Sequence, residues 1–208
     1  IWSMKRGYVP YHPFDKKLDR MKKANEEHII NSYFLTPEQI DTIRKTLRDD
    51  KKFDIQDQIL FEIAYDSANR IVALEQLKIS SLDVDNMLFT DVREKEGYRV
   101  EVIFEDYAKS LIEEWLKIRE AKYDKLSVDS VLIIKKNGEY HPMGRSAIYQ
   151  RIKKYGKIVG IEDFRPHCMR KSKLNNVYEQ TGDLTLAASL ANHKSTETTR
   201  ESYIRPQS

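Results

Sequence analysis

Cysteines, glycine-rich loops and long apolar runs are scarce or absent in this sequence, and each absence narrows the class of protein. Cys168 is the single cysteine, so no internal disulfide can form, which agrees with a reducing compartment. No apolar run approaches the roughly 18 residues of a membrane span, and no basic leader followed by an apolar stretch opens the chain. The seven glycines include no phosphate-binding loop, which disfavours nucleoside-triphosphate chemistry. These features predict a cytoplasmic protein without a membrane partner.

The composition predicts a packed core, and the charge pattern is compatible with a nucleic-acid partner. Hydrophobic residues make up 40% and charged residues 33% of the 208 residues, which is typical of one globular domain. The net charge is only +3, but lysine and arginine gather in residues 16–23, 151–157 and 170–173, whereas 105–120 carries much of the acid. Clustered base on a nearly balanced chain is typical of a nucleic-acid face. Ordinary solvated helices carry similar clusters, so the pattern alone leaves both interpretations open.

The chain divides into a polar leading segment and one domain. Residues 1–31 hold two prolines and no lasting apolar period, which predicts an interdomain linker, the tail of an N-terminal DNA-binding domain that is missing here. The domain is predicted over 32–208. Its first helix follows Thr36, which is placed to cap it, with Gln39 at the capping-box position. Further helices are predicted over 54–68 and 70–79 from apolar residues at helical spacing.

The middle of the chain predicts a small sheet among the helices. Two extended runs, 86–92 and 98–104, flank a segment in which Gly97 marks a hairpin turn. A long helix through Trp115, a short strand over 130–134 and three or four more helices follow. The fold class is therefore mainly α (α+β), with a small antiparallel sheet inserted after the third helix.

The segment 167–208 collects side chains that suit phosphate. His167 and Arg170 are three residues apart and share a face on a helix, and Tyr203 follows ten residues after His193. Taken singly, each has an ordinary structural explanation. Taken together, "HCMR", "LANH" and "TTRESY" resemble the H-x-x-R, L-L-G-H and T-T-x-x-Y motifs of the tyrosine recombinase (phage integrase) family.

The resemblance extends upstream over nearly the whole chain. "YDSANRIVALEQLKISSLD" is similar to the family's segment bearing the first catalytic arginine, here Arg70, and leading into the sheet. "REKEGYRVEVIF" is similar to its β-hairpin, in which Lys95 best matches the catalytic lysine. The family resemblance thus implies a catalytic-domain fold with six site residues: Arg70, Lys95, His167, Arg170, His193 and Tyr203.

The resemblance also implies a chemistry for these residues. Tyr203 attacks a DNA phosphate to form a 3′-phosphotyrosyl link, and the two arginines stabilise the charge of the transition state. His167 is the implied base for a phenol whose ordinary pKa is about 10. Lys95 protonates the departing 5′ oxygen, and His193 holds a phosphate oxygen. Neither a metal nor a cofactor is implied, since the phosphotyrosine conserves the bond energy.

The position of the tyrosine departs from the family pattern. The family has its nucleophile nine residues beyond the second histidine, a place that Ser202 occupies here, with Tyr203 one residue later. One residue on a helix is a rotation of about 100° and a rise of about 1.5 Å. A misplacement of that order can cost about a hundredfold in rate.

Two functions follow, and the register of Tyr203 decides between them. The first, slightly favoured by the shift, is a sequence-specific double-stranded-DNA-binding protein, a phage or prophage regulator of the repressor kind that no longer cuts. The alternative is an active site-specific recombinase, favoured by the survival of all six site residues. Both have duplex DNA as the partner and no small-molecule substrate, both place the protein in a bacterial or phage-infected cell, and both leave a homo-oligomer on DNA open.

A basic helix predicted over 145–157 supplies the groove-reading surface. Its polar side chains suit phosphates or bases, while its isoleucines at 148, 152 and 158 suit a core. The predicted DNA-binding residues are Arg145, Gln150, Arg151, Lys153, Lys154, Lys171 and Lys173.

Overall fold

The first helix begins where its capping sequence predicts. In the computed structural model, which describes residues 33–93, 97, 99–122 and 128–190, helix α1 spans Pro37–Asp49. The Thr36 hydroxyl accepts a hydrogen bond from the Gln39 amide at 3.3 Å, and the Gln39 side chain accepts one from the Thr36 amide at 3.0 Å. This reciprocal box satisfies two backbone donors that the first turn leaves open. The apolar stripe of the helix is buried, as its spacing predicts.

Helix α2 is the centre of the domain. It spans Ile55–Asp66, and a capping box between Asp54 and Asp57 starts it, with both bonds at 3.0 Å. All but two of its residues are buried, because α1 and four later helices pack around it. A helix that is covered on all sides needs no polar face, which explains its weak amphipathic pattern.

The third predicted helix is much shorter than its sequence suggests. Helix α3 covers only Ile71–Leu74, so the helix predicted over 70–79 ends early, and a 3-10 turn follows over Ile79–Ser81. The Val131 amide donates to the Leu77 carbonyl at 2.8 Å, and Lys78 pairs with Ser130. Pairing with a distant segment therefore overrides the local helical preference.

The predicted hairpin forms the main part of a three-stranded antiparallel sheet. Strands β1 (Leu82–Asp83), β2 (Leu88–Arg93) and β3 (Arg99–Ile103) lie in that order. Strand β1 pairs only with the first two residues of β2, whereas β3 pairs along β2 as far as Arg93 opposite Arg99. Gly97 has φ +79°, as its predicted place in the turn requires.

A second, two-stranded sheet lies after the long helix. Helix α4 spans Asp106–Lys122, and its Trp115 indole donates to the Val131 carbonyl at 2.8 Å. Strand β4 is Ile133–Lys136, somewhat later than predicted, and it pairs with β5, Glu139–Pro142, which was not predicted. The positive φ values at 137 and 138, in an Asn-Gly pair, are those of a tight hairpin turn.

Three helices complete the described chain. They are α5 (Arg145–Ile158), α6 (Pro166–Thr181) and α7 (Leu184–Leu190). Gly156 allows α5 to approach the following segment closely, since a Cβ there would lie 2.0 Å from the Phe164 Cβ. The mainly helical fold with small antiparallel sheets is as predicted. Across the described ranges, no helix is both long and apolar enough to cross a membrane.

Candidate phosphate-binding site

Arg70 is presented by a tight, buried turn between α2 and α3. It is the N-cap residue of α3 and is half-buried. The Ser67 hydroxyl donates to the Ile63 carbonyl at 2.7 Å and accepts from the Asn69 amide at 3.2 Å. Ala68 takes a positive φ of 49°, which turns the chain sharply before the arginine. The local hydrogen bonds therefore fix the backbone that carries Arg70.

Helix α6 carries both His167 and Arg170, and Arg170 contacts the turn that leads to Arg70. Arg170 is only 1% exposed, and its Nη1 donates to the carbonyl of Ala68, two residues before Arg70. His167 lies nearly one turn earlier on the same helix and is half-buried. Arg70 and Arg170 are 100 residues apart in the sequence. The hydrogen bond to Ala68 shows that the turn before Arg70 and helix α6 are in contact.

Buried polar contacts hold α6 in place. The Ser172 hydroxyl accepts from the Leu35 amide at 2.8 Å and donates to the Cys168 carbonyl at 2.7 Å. The Asn176 amide donates to the Tyr65 hydroxyl at 3.0 Å. Displacing buried polar groups from their hydrogen-bond partners costs free energy, so these bonds favour a single packed position of the helix. Sequence reasoning missed them, because a helix with serine and asparagine on its inner face has no clear apolar stripe.

Two side-chain amides connect the Arg70 segment to the hairpin strands. Asn69 Nδ2 donates to the Glu101 carbonyl of β3 at 3.2 Å, and the Gln76 amide bonds the backbone of Arg93 at the end of β2. The predicted site residues Lys95, His193 and Tyr203 lie outside the described residues. Their roles stay predictions, whereas Arg70, His167 and Arg170 have described positions.

Comparison with known proteins assigns the chain to a family. The model of the phage integrase family matches residues 33–208. The chain belongs to this family. A tyrosine recombinase XerC of Haemophilus influenzae is 30% identical over 166 residues, which cover 76% of this chain and 52% of the relative. A XerC of Staphylococcus epidermidis is 24% identical over 167 residues, covering 80% of this chain and 55% of the relative. The chain thus spans about half the length of these curated relatives.

Solved structures share the fold of this family member. The XerA recombinase superposes with a TM-score of 0.67 at 20% identity, covering 82% of this chain and 60% of that one. The XerH site-specific recombinase, in its pre-cleavage complex with difH substrate, superposes with a TM-score of 0.63 at 21% identity, covering 83% and 50%. The predicted similarity to a recombinase catalytic domain is therefore confirmed at the level of fold.

An acidic cluster that sequence reasoning missed lies at the end of α2, four residues before Arg70. Asp66 is 6% exposed, and its Oδ2 accepts from the Glu105 amide at 3.2 Å. Lys173 Nζ lies 3.9 Å from Asp66 Oδ1 and 2.9 Å from Glu105 Oε1. Burial, reinforced by the charge of Glu105, raises the pKa of Asp66 to about 7. Nothing in the one-dimensional pattern separates this aspartate from a surface residue.

Some of the predicted DNA-binding side chains of helix α5 are exposed to solvent. Gln150 and Lys154 are exposed, and Lys153 is half-buried. Arg145 is exposed but pairs with Glu75 at 2.6 Å. Arg151 lies 3.1 Å from both Asp54 and Asp57, so its positive charge forms ion pairs within the protein.

The two predicted lysines of α6 are placed differently from those of α5. Lys171 is 1% exposed, and burial lowers the pKa of its amine. Lys173 is half-buried against Glu105 and Asp66. The exposed polar side chains of α5 therefore offer the more accessible surface.

Across the described part of the chain, no group of three or more histidine, cysteine or acidic side chains is placed to hold a metal ion.

Proposed function

We propose that the chain is the catalytic part of a site-specific tyrosine recombinase that cuts and rejoins double-stranded DNA. The similarity to XerC recombinases carries this proposal. The hydrogen bond from Arg170 to the carbonyl of Ala68 agrees with it, because it holds the second arginine against the turn that presents the first. It replaces the non-cleaving regulator, which the register of Tyr203 slightly favours.

In the proposed reaction the arginines bind the scissile phosphate. Planar guanidinium groups form paired, charge-assisted hydrogen bonds to phosphate oxygens, and Arg170 is held in place by its buried helix. The Tyr203 oxygen attacks phosphorus while His167 takes the phenolic proton. The bond from phosphorus to the 5′ oxygen breaks, and Lys95 gives that oxygen a proton. His193 holds a non-bridging oxygen.

The energy of the broken bond is retained in this scheme. The 3′-phosphotyrosyl link is a phosphodiester like the bond it replaces, so attack by a 5′-hydroxyl rejoins DNA without a nucleotide cofactor or a metal ion. Preorganised cations contribute most of the stabilisation in such a site, because they meet the charge of the transition state without rearranging.

Duplex DNA is the proposed partner, and α5 contributes to its recognition. The XerH structure contains bound difH substrate, and the exposed Gln150 and Lys154 of α5 suit phosphates or base edges. We expect affinity to fall steeply with salt, since phosphate contacts release counterions. Assembly of several copies on DNA, in the cytoplasm of a bacterial or phage-infected cell, is part of the same proposal.

The competing function is a DNA-binding regulator that does not cut. The observation in its favour is that Ser202 stands in the family's usual position for the nucleophile. Both functions need DNA affinity, so affinity alone does not separate them.

A covalent-adduct assay separates the two functions. A duplex retained by the protein from a random-sequence library at low salt is nicked, so that cleavage traps the intermediate, and denaturing gels then reveal the adduct. We expect an adduct with the natural chain and none with Tyr203→Phe, while Tyr149→Phe, a half-buried tyrosine of α5, serves as the matched control.

A double variant tests the register directly. Ser202→Tyr combined with Tyr203→Ser moves the phenol to the family's usual position. Tight binding without an adduct by the natural chain, together with an adduct from the double variant, would replace the recombinase with the regulator.

A further inference from the structure

The segment from Asn69 to Gln76 carries Arg70 and has a side-chain amide at each end. We propose that Gln76 is a positioning residue that fixes the end of strand β2 against this segment, and that the proton transfer assigned to Lys95 depends on this contact. This inference rests on the proposed recombinase function, because Lys95 acts as an acid only in that reaction.

Gln76 makes three hydrogen bonds to backbone groups. Its Oε1 accepts from the Arg93 amide at 3.1 Å, and its Nε2 donates to the Arg93 carbonyl at 2.7 Å. The same Nε2 donates to the Val72 carbonyl at 2.6 Å, one turn earlier in its own segment. A primary amide offers one acceptor and two donors, so this arrangement uses both kinds of group.

The sheet explains why Arg93 accepts such a partner. Strand β1 pairs with β2 only at Leu88 and Phe89, so it ends before β2 does. Beyond that point the Gln76 amide supplies the donor and the acceptor that a neighbouring strand would offer to Arg93. The glutamine therefore substitutes for one residue of a strand partner.

The opposite strand is tied to the same segment. Asn69 is 4% exposed, and its Nδ2 donates to the Glu101 carbonyl of β3 at 3.2 Å. One amide thus bonds β2 and the other bonds β3, on either side of Arg70 in sequence. Lys95 is two residues beyond Arg93 in the chain. The position from which the chain departs toward Lys95 is therefore set by the segment that carries Arg70.

A loss of this contact should affect one chemical step more than the others. Proton transfer to the leaving oxygen requires the acid within hydrogen-bond reach, and an error of about 1 Å can cost about a hundredfold in rate. Gln76→Met keeps the length of the side chain and removes all three hydrogen bonds. Gln76 takes no part in the hydrogen bond from Arg170 to Ala68 or in the bonds of Ser172 and Asn176 that hold α6.

Sulfur at the scissile bond tests whether the defect acts through the acid. When the bridging 5′ oxygen is replaced by sulfur, the tyrosine–phosphorus bond forms and a thiolate leaves. A thiol has an ordinary pKa of about 8.5, so this leaving group needs no proton from the protein. Adduct formation is measured with oxygen and sulfur substrates for the natural chain, Gln76→Met, Lys95→Ala and the double variant.

We expect Gln76→Met to slow adduct formation about 10- to 100-fold on the oxygen substrate and less than about threefold on the sulfur substrate. On the oxygen substrate it should cause little further loss in the Lys95→Ala background, since the two residues act as one unit. Asn86→Leu removes an amide that donates to Asp83 at the other end of β2, at 2.8 Å, and should leave both rates unchanged. Urea unfolding verifies that each variant is folded.

Two results would overturn the role of Gln76. One is that Gln76→Met slows adduct formation equally on both substrates. The other is that, on the oxygen substrate, the double variant loses the product of the two single-variant losses in rate. If the natural chain forms no adduct with either substrate, the proposed function has failed. DNA binding by the same four proteins then tests the link between Gln76 and Lys95. A loss of affinity that is coupled between the two substitutions supports the link, and independent losses refute it.

Discussion

Replacing Asp66 with asparagine should change how the stability of the domain depends on pH. Burial beside Glu105 raises the pKa of Asp66 from 3.8 to about 7, so the folded protein binds a proton there more tightly than the unfolded chain does. The free energy of unfolding therefore falls as the pH rises from about 4 to about 7, and the ionised aspartate is a cost above that range.

The magnitude follows from the two pKa values. At about 1.4 kcal/mol for each pH unit, the full difference corresponds to roughly 4 kcal/mol, and the part lost between pH 5 and pH 8 is roughly 2–3 kcal/mol. An asparagine side chain is not ionisable, and its amide oxygen can still accept from the Glu105 backbone in place of Asp66 Oδ2. We expect Asp66→Asn to match the natural chain near pH 5 and to be more stable than it at pH 8.

Urea unfolding at pH 5, 6, 7 and 8 measures this difference. Other titrating groups largely cancel when the variant and the natural chain are subtracted at each pH. The neighbours that shape the result are Glu62 and Tyr65 on α2, Arg44 on α1, Lys173 on α6, and Glu105. Asp85→Asn, at an exposed aspartate, is the control. A flat difference for Asp66→Asn, or a natural chain that is the more stable at pH 8, would refute the reasoning.

Two further substitutions test the packing. Gly156→Ala should destabilise the domain by about 1–3 kcal/mol, because the new Cβ would meet Phe164 at 2.0 Å; Gly144→Ala, where a Cβ meets no described atom within 4 Å, should change the unfolding free energy much less. Trp115→Phe removes the donor to a buried carbonyl and should cost about 1–3 kcal/mol, whereas Tyr107→Phe, at a residue 43% exposed, should cost less than about 0.5 kcal/mol. Urea midpoints at one pH check both pairs, and equal effects within a pair would contradict the assigned contacts.

Local signals predicted the elements whose determinants are close in sequence. The cap of α1 needs only Thr36 and Gln39, and the hairpin turn needs Gly97 in a left-handed conformation. The three-residue spacing of His167 and Arg170 required only that α6 be a helix. In each case the residues that decide the structure lie within a few positions of one another.

Elements decided by distant partners were not predictable in the same way. Helix α3 ends after one turn because Leu77 bonds Val131, more than fifty residues away. The raised pKa of Asp66 depends on burial that only the folded chain supplies and, to a smaller extent, on the charge of Glu105. The tie from Gln76 to Arg93 joins a helical segment to a strand end, and no periodicity encodes it.

The burial of Arg170 has a consequence for how such proteins lose activity. Its guanidinium bonds the chain at Ala68 from within the core, so removing it would leave polar groups and a cavity between α6 and the turn. A descendant that stopped cutting DNA would still need this side chain to fold. Retention of the arginine is therefore evidence for the fold and not, by itself, for the reaction.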